Sequence, residues 1–202
     1  MRAAALFLGA IAAGLGIRAF VAQPLTVVSQ SMAPTLEAGD FLVVDKLSPA
    51  LARLGGNPAV SAGDLILLGG PDGRVWVKRV MATGGDRVAL RDGRLVINGL
   101  EIRCRTLGGR LCREHLPGGA DYRILDDRSP PLADFGELLI PDGRLFVLGD
   151  NRGDSLDSRV SVADGGLGLV GREAVIGRAA FRFLAVERRG GNIRWERIGR
   201  LR

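Results

Sequence analysis

Histidine is almost missing from this sequence. His115 is the only one among 202 residues, and cysteine occurs only as Cys104 and Cys112. A metal centre built on several histidines is therefore excluded, and so is a four-cysteine zinc site. Any Ser-His-Asp mechanism would have to run through His115 alone, so hydrolytic chemistry here calls for a base of another kind. After residue 22 there is also no long segment with a 3.6-residue apolar period, which argues against a helical body. Disorder is not the reason for that lack. Hydrophobic residues make up 47% and charged residues 25%, ordinary usage for a chain long enough to form one or two small domains. The net charge of +6 is compatible with an anionic membrane surface or with nucleic acid.

Glycine, by contrast, is abundant, with 30 residues, and predicts many turns. Three Asp-Gly pairs separate apolar runs: Asp72-Gly73 before 74–80, Asp92-Gly93 between 87–90 and 94–98, and Asp142-Gly143 between 137–140 and 144–148. Asp-Gly supplies the positive φ of a tight hairpin turn, so each pair predicts a hairpin and the three together an all-β body. Residues 103–134 lose the alternation and predict an irregular insertion within a second, smaller β-region. The basic tail from Arg188 to Arg202 carries Ile193, Trp195, Ile198 and Leu201. It reads either as a segment lying on an anionic membrane surface or as a solvated tail.

At the N-terminus, Ala3 to Ile17 carries no charge, Arg18 interrupts, and Ala19 to Ala22 resumes the apolar run. As a helix, this stretch would rise about 30 Å, one hydrocarbon thickness, with Arg18 able to reach the headgroups. An uncleaved anchor and a cleaved secretory signal both fit, although Phe20 and Ala22 make a poor small-x-small site. Both readings place residues 23–202 outside the cytoplasm. There Cys104 and Cys112 form a possible disulfide across a small loop. Cys104, Cys112 and His115, with Glu114 nearby, are an alternative zinc set, but their spacing matches no common pattern.

Three segments carry candidate chemistry. The first, Ser29-Gln30-Ser31-Met32-Ala33-Pro34-Thr35-Leu36, comes shortly after the apolar stretch, and Pro34 places Ser31 on a turn or strand end. The second is Val75-Trp76-Val77-Lys78-Arg79-Val80. A strand sends Trp76, Lys78 and Val80 to one face and Val75, Val77 and Arg79 to the other, so at least one of the two basic residues sits among apolar neighbours. A buried lysine loses part of its proton affinity and can serve as a base, which arginine cannot. The third segment, Gly149 to Arg159, is a tight loop after an apolar strand. In it Asp157 and Arg159 can pair, and Ser155 can orient a neutral lysine.

Taken in this order behind an apolar N-terminus, the segments resemble bacterial type I signal (leader) peptidases. The likeness rests on Ser-x-Ser-Met-x-Pro-Thr-Leu, a Lys-Arg-Val strand and Gly-Asp-Asn-Arg-x-x-Ser-x-Asp-Ser-Arg, with Gly39-Asp40 and Asn98-Gly99 also in place. It covers nearly the whole chain. It implies that Ser31 is the nucleophile and Lys78 the general base, that the Ser31 N–H and Ser29 hydroxyl form the oxyanion hole, and that Ser155, Asp157 and Arg159 support the pair. It maps substrate-pocket walls to Val28, Met32, Leu36, Trp76 and Val77. It implies an all-β, antiparallel-sheet catalytic core with a smaller β insertion, placed here at 23–85 with 144–188 and at 86–143; the residues themselves add a single N-terminal transmembrane helix (1–22), a departure from the family pattern, and a basic tail (189–202). Neither metal nor cofactor is called for. Val28 and Gln30 stand where the family often has proline and glycine, Gly153-Asp154 replaces the more usual Asp-Asn, and Thr83-Gly84-Gly85-Asp86 lacks the usual proline.

The function implied is removal of signal peptides from exported preproteins by cleavage after Ala-x-Ala, at the bacterial cytoplasmic (inner) membrane. The enzyme would be single-pass, with its catalytic domain on the outer, periplasmic side and the lipid bilayer as a partner. A peptidase dedicated to one secretion, pilus or conjugation substrate and an inactive membrane-anchored binding scaffold are the alternatives. A self-cleaving repressor would need an N-terminal DNA-binding helix pair, which the apolar residues 1–22 cannot form, so the positive charge is not evidence for nucleic acid.

Overall fold

The computed structural model describes residues 22–47, 60–70, 73–126 and 134–201. The expected transmembrane helix lies outside them apart from Ala22, where the first strand begins. Among the described residues, no helix is long and apolar enough to cross a membrane.

These residues form fifteen strands and two short 3₁₀ turns, so the body is all-β. β1 (Ala22–Thr26) pairs with β2 (Asp40–Asp45), and β3 (Leu65–Gly69) with β4 (Val75–Thr83). Next come β5 (Arg87–Arg91), β6 (Arg94–Ile97) and β7 (Leu100–Glu101), then a three-stranded sheet of β8 (Cys104–Gly108), β9 (Leu111–His115) and β10 (Asp121–Leu125). β11 (Phe135–Leu139) returns to pair with β5. β12 (Arg144–Leu148), β13 (Val170–Gly171), the long β14 (Val175–Ala185) and β15 (Gly199–Arg200) complete the order. The main sheet runs β1-β2-β14-β3-β4-β12-β13, with β15 added on β14, and every strand pairing in it is antiparallel. Register shifts in β14 against both β2 and β3 bend the strand and curl the sheet.

The Asp-Gly pairs divide in their outcome. Asp92 and Gly93 turn at φ +51° and +70° between paired strands β5 and β6, and Gly73 turns at φ +75° between β3 and β4. Gly143 also has positive φ, yet β11 pairs with β5 while β12 pairs with β4 and β13. That turn carries the chain from one sheet to another and is not a hairpin. The region expected to be irregular holds β8, β9 and β10. Its alternation is hidden because the inward positions of β9 are Cys112 and Glu114 and one of β10 is Tyr122, which do not read as an apolar stripe.

The core lies on both faces of the central strands. Leu65 and Leu67 pack with Met32, Leu36, Leu42 and Val44, while Ile66 and Leu68 pack on the opposite face with Val80, Leu145 and Val147. Burial on both sides explains why β3 is an unbroken apolar run. Phe146 and Leu148 of β12 face a third cluster with Met81, Val88 and Ile97. β4 and β12 are thereby fixed side by side between buried clusters, and the polar loop after β12 is held beside β4.

Candidate active site

Lys78 and Arg79 are neighbours on β4, and both are completely buried. Arg79 forks onto Asp150, with Nε–Oδ1 and Nη2–Oδ2 both at 2.8 Å, and donates through Nη1 to the Gly63 carbonyl at 2.7 Å. Its guanidinium lies 4.1 Å from the centroid of the Tyr122 ring. Lys78 has a different setting. Its Nζ donates to Ser155 Oγ at 2.8 Å and lies 5.3 Å from the Trp76 ring centroid. Burial pulls the ammonium down from its ordinary value of 10.5 to about 8, with Arg159 adding to the shift and Asp157 opposing it.

Ser155 is held by the loop around it. Asp157, fully buried, accepts the Gly149 N–H at 3.0 Å and the Arg159 Nε and Nη2 at 2.8 Å each. Burial disfavours the Asp157 carboxylate, but the Arg159 guanidinium outweighs it and the pKa ends below the ordinary value. Arg159 also donates to the Arg152 carbonyl at 2.8 Å. Arg152 in turn forks onto Glu114 at 2.5 Å, and Glu114 accepts the Tyr122 hydroxyl at 2.7 Å. A charged chain thus runs from the loop into the three-stranded sheet.

Ser31 sits on a turn, as Pro34 predicts, with Ala33 N–H bonded to Gln30 O and Leu36 N–H to Met32 O. The Asn151 backbone N–H reaches the Ser31 carbonyl at 3.1 Å, and the Asn151 amide donates to Gln30 O at 3.2 Å. Gly149 lies where the two segments meet. A Cβ there would stand 2.2 Å from Ser155 Oγ and 2.5 Å from Ser31 O. The Ser31 N–H donates to Ser29 Oγ at 3.1 Å, which brings together the two groups expected to form an oxyanion hole.

Ser29, Ser31, Ser155 and Arg159 border a cleft of about 1070 Å³, with Lys78 buried behind Ser155 and outside its lining. Val28, Met32, Trp76 and Val77 line it together with Ser31 and Ser155. Val28 is 80% exposed, whereas Leu36 is fully buried behind the wall among Met32, Leu42 and Val44 and is not part of the lining.

Cys104 and Cys112 are free thiols on adjacent strands. Cys104 stands opposite Glu114 and Cys112 opposite Thr106. Burial and the neighbouring Cys112 push the Cys104 thiol well up. His115 is not brought to them. It is three positions from Cys112 on the same strand, hence on the other face, where it pairs with Asp121 at 3.0 Å. Asp126 takes the third place instead, and its ligating atom and the two sulfurs lie within 4.8 Å of one another, the one metal-capable grouping among the described residues.

Sequence reasoning assigns no role to Asp150, Asn151 or Arg152, and places Glu114 only beside the alternative zinc set, not in the ion pair it forms with Arg152. One signal is available for Asp150. If strand alternation buries both Lys78 and Arg79, the arginine needs a carboxylate, because a buried guanidinium without one is very costly.

Residues 1–184 match the family model described as signal peptidase, peptidase S26. A signal peptidase I of Bacillus amyloliquefaciens is 32% identical over 175 residues, covering 86% of this chain and 80% of the relative. A probable signal peptidase I-1 of Synechocystis sp. is 32% identical over 188 residues, covering 92% and 83%. Among solved structures, a signal peptidase I from Enterococcus faecalis is 26% identical with a TM-score of 0.37, over 58% of this chain and 94% of that one.

Proposed function

Because this chain belongs to the signal peptidase family, peptidase S26, we propose that it is a membrane-anchored endopeptidase in which Ser31 is the nucleophile and Lys78 the general base. Membership makes it a serine endopeptidase of the kind that removes signal peptides. The observation that carries the finer reading is the state of Lys78: fully buried, bonded to Ser155 and brought down to about 8. At pH 7 about one such lysine in ten is neutral, roughly 300-fold more than at the ordinary pKa. The lack of histidines leaves no competing base of comparable setting, since His115 is exposed and paired with Asp121.

In this mechanism the neutral Lys78 Nζ takes the proton of the Ser31 hydroxyl as Oγ attacks the scissile carbonyl carbon. The Ser31 N–H and the Ser29 hydroxyl turn from each other to the developing oxyanion; one such donor is worth about 3–4 kcal/mol. The lysine then returns its proton to the leaving amine, and the acyl group stays on Ser31 Oγ. Water attacks that ester, Lys78 accepts a proton from it, and collapse restores the Ser31 hydroxyl and releases a carboxylate. Ser155 keeps the Nζ lone pair directed, while the Asp157–Arg159 pair keeps Ser155 in place.

The substrate is the end of a signal peptide, bound extended beside a strand edge, with small pockets selecting Ala-x-Ala. Val28, Met32, Trp76 and Val77 supply the apolar walls. Residues 1–22 anchor the chain in the inner membrane with the catalytic body on the outer side. We read the body as a core (23–85 and 144–188) with an inserted subdomain (86–143).

The test is cleavage of an Ala-x-Ala precursor by detergent-solubilised wild type and Ser31→Ala. Product from the wild type alone supports the reading, and equal product from both removes Ser31 as nucleophile. Turnover of a single precursor among several offered points to a dedicated peptidase.

A further inference from the structure

The C-terminal tail, which by its composition reads as solvated or membrane-bound, is instead folded against the turn that carries Ser31. β15 pairs with β14 through Phe181–Arg200 and Arg182–Gly199, and the Leu201 side chain packs into the cluster that holds Met32 and Leu36. Just before β15, a 3₁₀ turn over Trp195–Arg197 brings Arg194 and Arg197 to residues 34–40.

The contacts there are dense and directed. Arg197 Nη2 donates to Asp40 Oδ2 at 2.9 Å, and its Nη1 to Glu37 Oε1 at 3.0 Å. The same guanidinium reaches the Pro34 and Thr35 carbonyls at 3.4 Å. Arg182 Nη1 donates to Thr35 O at 2.7 Å and to Asp40 Oδ2 at 3.0 Å, and its Nε donates to the Arg197 carbonyl. Arg194 pairs with Glu37. Asp40, with no exposure, in turn accepts the Glu37 N–H at 2.9 Å.

The groups held are not a remote part of the molecule. Pro34 and Thr35 are the third and fourth residues past Ser31, on the turn closed by the Leu36–Met32 bond. From the other side, Thr35 Oγ1 donates to Asp150 Oδ2 at 2.5 Å, and Asn151 holds the Ser31 carbonyl. The turn is therefore gripped between two loops, one of which carries Ser155. Asn151 also donates to the Gln30 carbonyl, so Ser31 is held by that loop directly and by the gripped residues on its C-terminal side.

We propose that Arg197, with Arg182 and Arg194, forms a clamp that positions the nucleophile turn, so that the C-terminal segment governs the acylation rate without touching substrate. This rests on Ser31 being the nucleophile. Arginine suits the place because one planar fork meets two carboxylates and two carbonyls at once, which a single ammonium cannot.

The experiment compares Arg197→Ala, Arg197→Lys, Trp195→Ala and Ser31→Ala in the full chain on an Ala-x-Ala precursor. Trp195 is 71% exposed on the same 3₁₀ turn and serves as the control. Arg197→Ala is expected to lower kcat roughly ten- to hundred-fold with KM within about twofold, because a small misplacement of a reacting group costs that much. The midpoint of its pH–rate profile should stay put, since the surroundings of Lys78 are unchanged. Arg197→Lys should recover part of kcat, Trp195→Ala should match wild type, and Ser31→Ala should be inactive. Wild-type kcat in Arg197→Ala beside an inactive Ser31→Ala overturns the clamp alone. So does a loss of kcat that only tracks the unfolded fraction seen by circular dichroism. If Arg197→Ala does not fold, wild-type kcat in Arg197→Lys overturns the clamp and an intermediate value upholds it. An active Ser31→Ala overturns both readings.

Discussion

The Ser31 carbonyl accepts the backbone N–H of Asn151 at 3.1 Å, so the segment bearing Ser31 is fastened directly to the loop whose Ser155 accepts from Lys78. The distance between the two halves of the site is thus set by main chain, not by flexible side chains. At Gly149 there is no room between them for a side chain.

Gly149→Ala is the first prediction. Its methyl group would meet Ser155 Oγ at 2.2 Å and Ser31 O at 2.5 Å, and at least one of them must move. Precursor cleavage is expected to fall by about 100-fold or more while the β-sheet circular dichroism is retained. Full activity would show that the two segments have room to part without harm to the chemistry.

Lys78→Met should abolish cleavage and, at neutral pH, raise stability. Below about pH 8 the folded protein must keep a charged lysine buried, whereas the unfolded chain solvates it. Between about 8 and 10.5 the unfolded state binds more protons, so wild-type stability rises with pH across that window. The advantage of Lys78→Met, on the order of 1–3 kcal/mol at pH 6.5, should therefore shrink as pH approaches 10. Urea melts at several pH values check it, and a constant difference would contradict the buried-charge account. The cleavage rate of the wild type should rise through about pH 8.

Ser29→Ala should lower kcat by about 100-fold with little change in KM, since the hydroxyl is needed only once the oxyanion develops. Equal losses in binding of an uncleavable peptide would assign Ser29 to substrate contact instead.

Glu114→Gln tests the link into the three-stranded sheet. Arg152 and Glu114 have side chains only 10% and 4% exposed, and removing one charge leaves the other buried without its partner. A loss of about 3–5 kcal/mol is expected, a fall in Tm on the order of 10 °C by calorimetry. A shift below about 2 °C would mean that the pair carries no net stability.

Much of this site is legible in the sequence because its parts are local motifs. Pro34 keeps Ser31 out of a regular strand, on a turn or a strand end, strand alternation separates Lys78 from Arg79, and a polar run after an apolar strand marks the loop at Ser155. The all-β body can be read from Asp92-Gly93 and its like, whose positive φ is a property of two adjacent residues. The illegible part is non-local. Asp142-Gly143 has the same local chemistry as a hairpin turn but joins strands of different sheets, which only tertiary pairing decides. The three-stranded sheet is hidden because Glu114 and Tyr122 face inward as members of a charged network. The tail reads as solvated or membrane-bound because its arginines find their carboxylates, Glu37 and Asp40, near the other end of the chain.

That last separation has a consequence in time. Arg197 and the Pro34 carbonyl are 163 residues apart, so a ribosome makes the serine-bearing turn long before the arginines that grip it. Contacts this distant are slow to form and come late in folding. During its own biogenesis the chain therefore carries an ungripped serine until β14 and the segment after it have been laid down. On the proposed clamp the turn gains its full grip only once residues 194–197 are in place, so a chain cut short before them should cleave precursor no faster than Arg197→Ala.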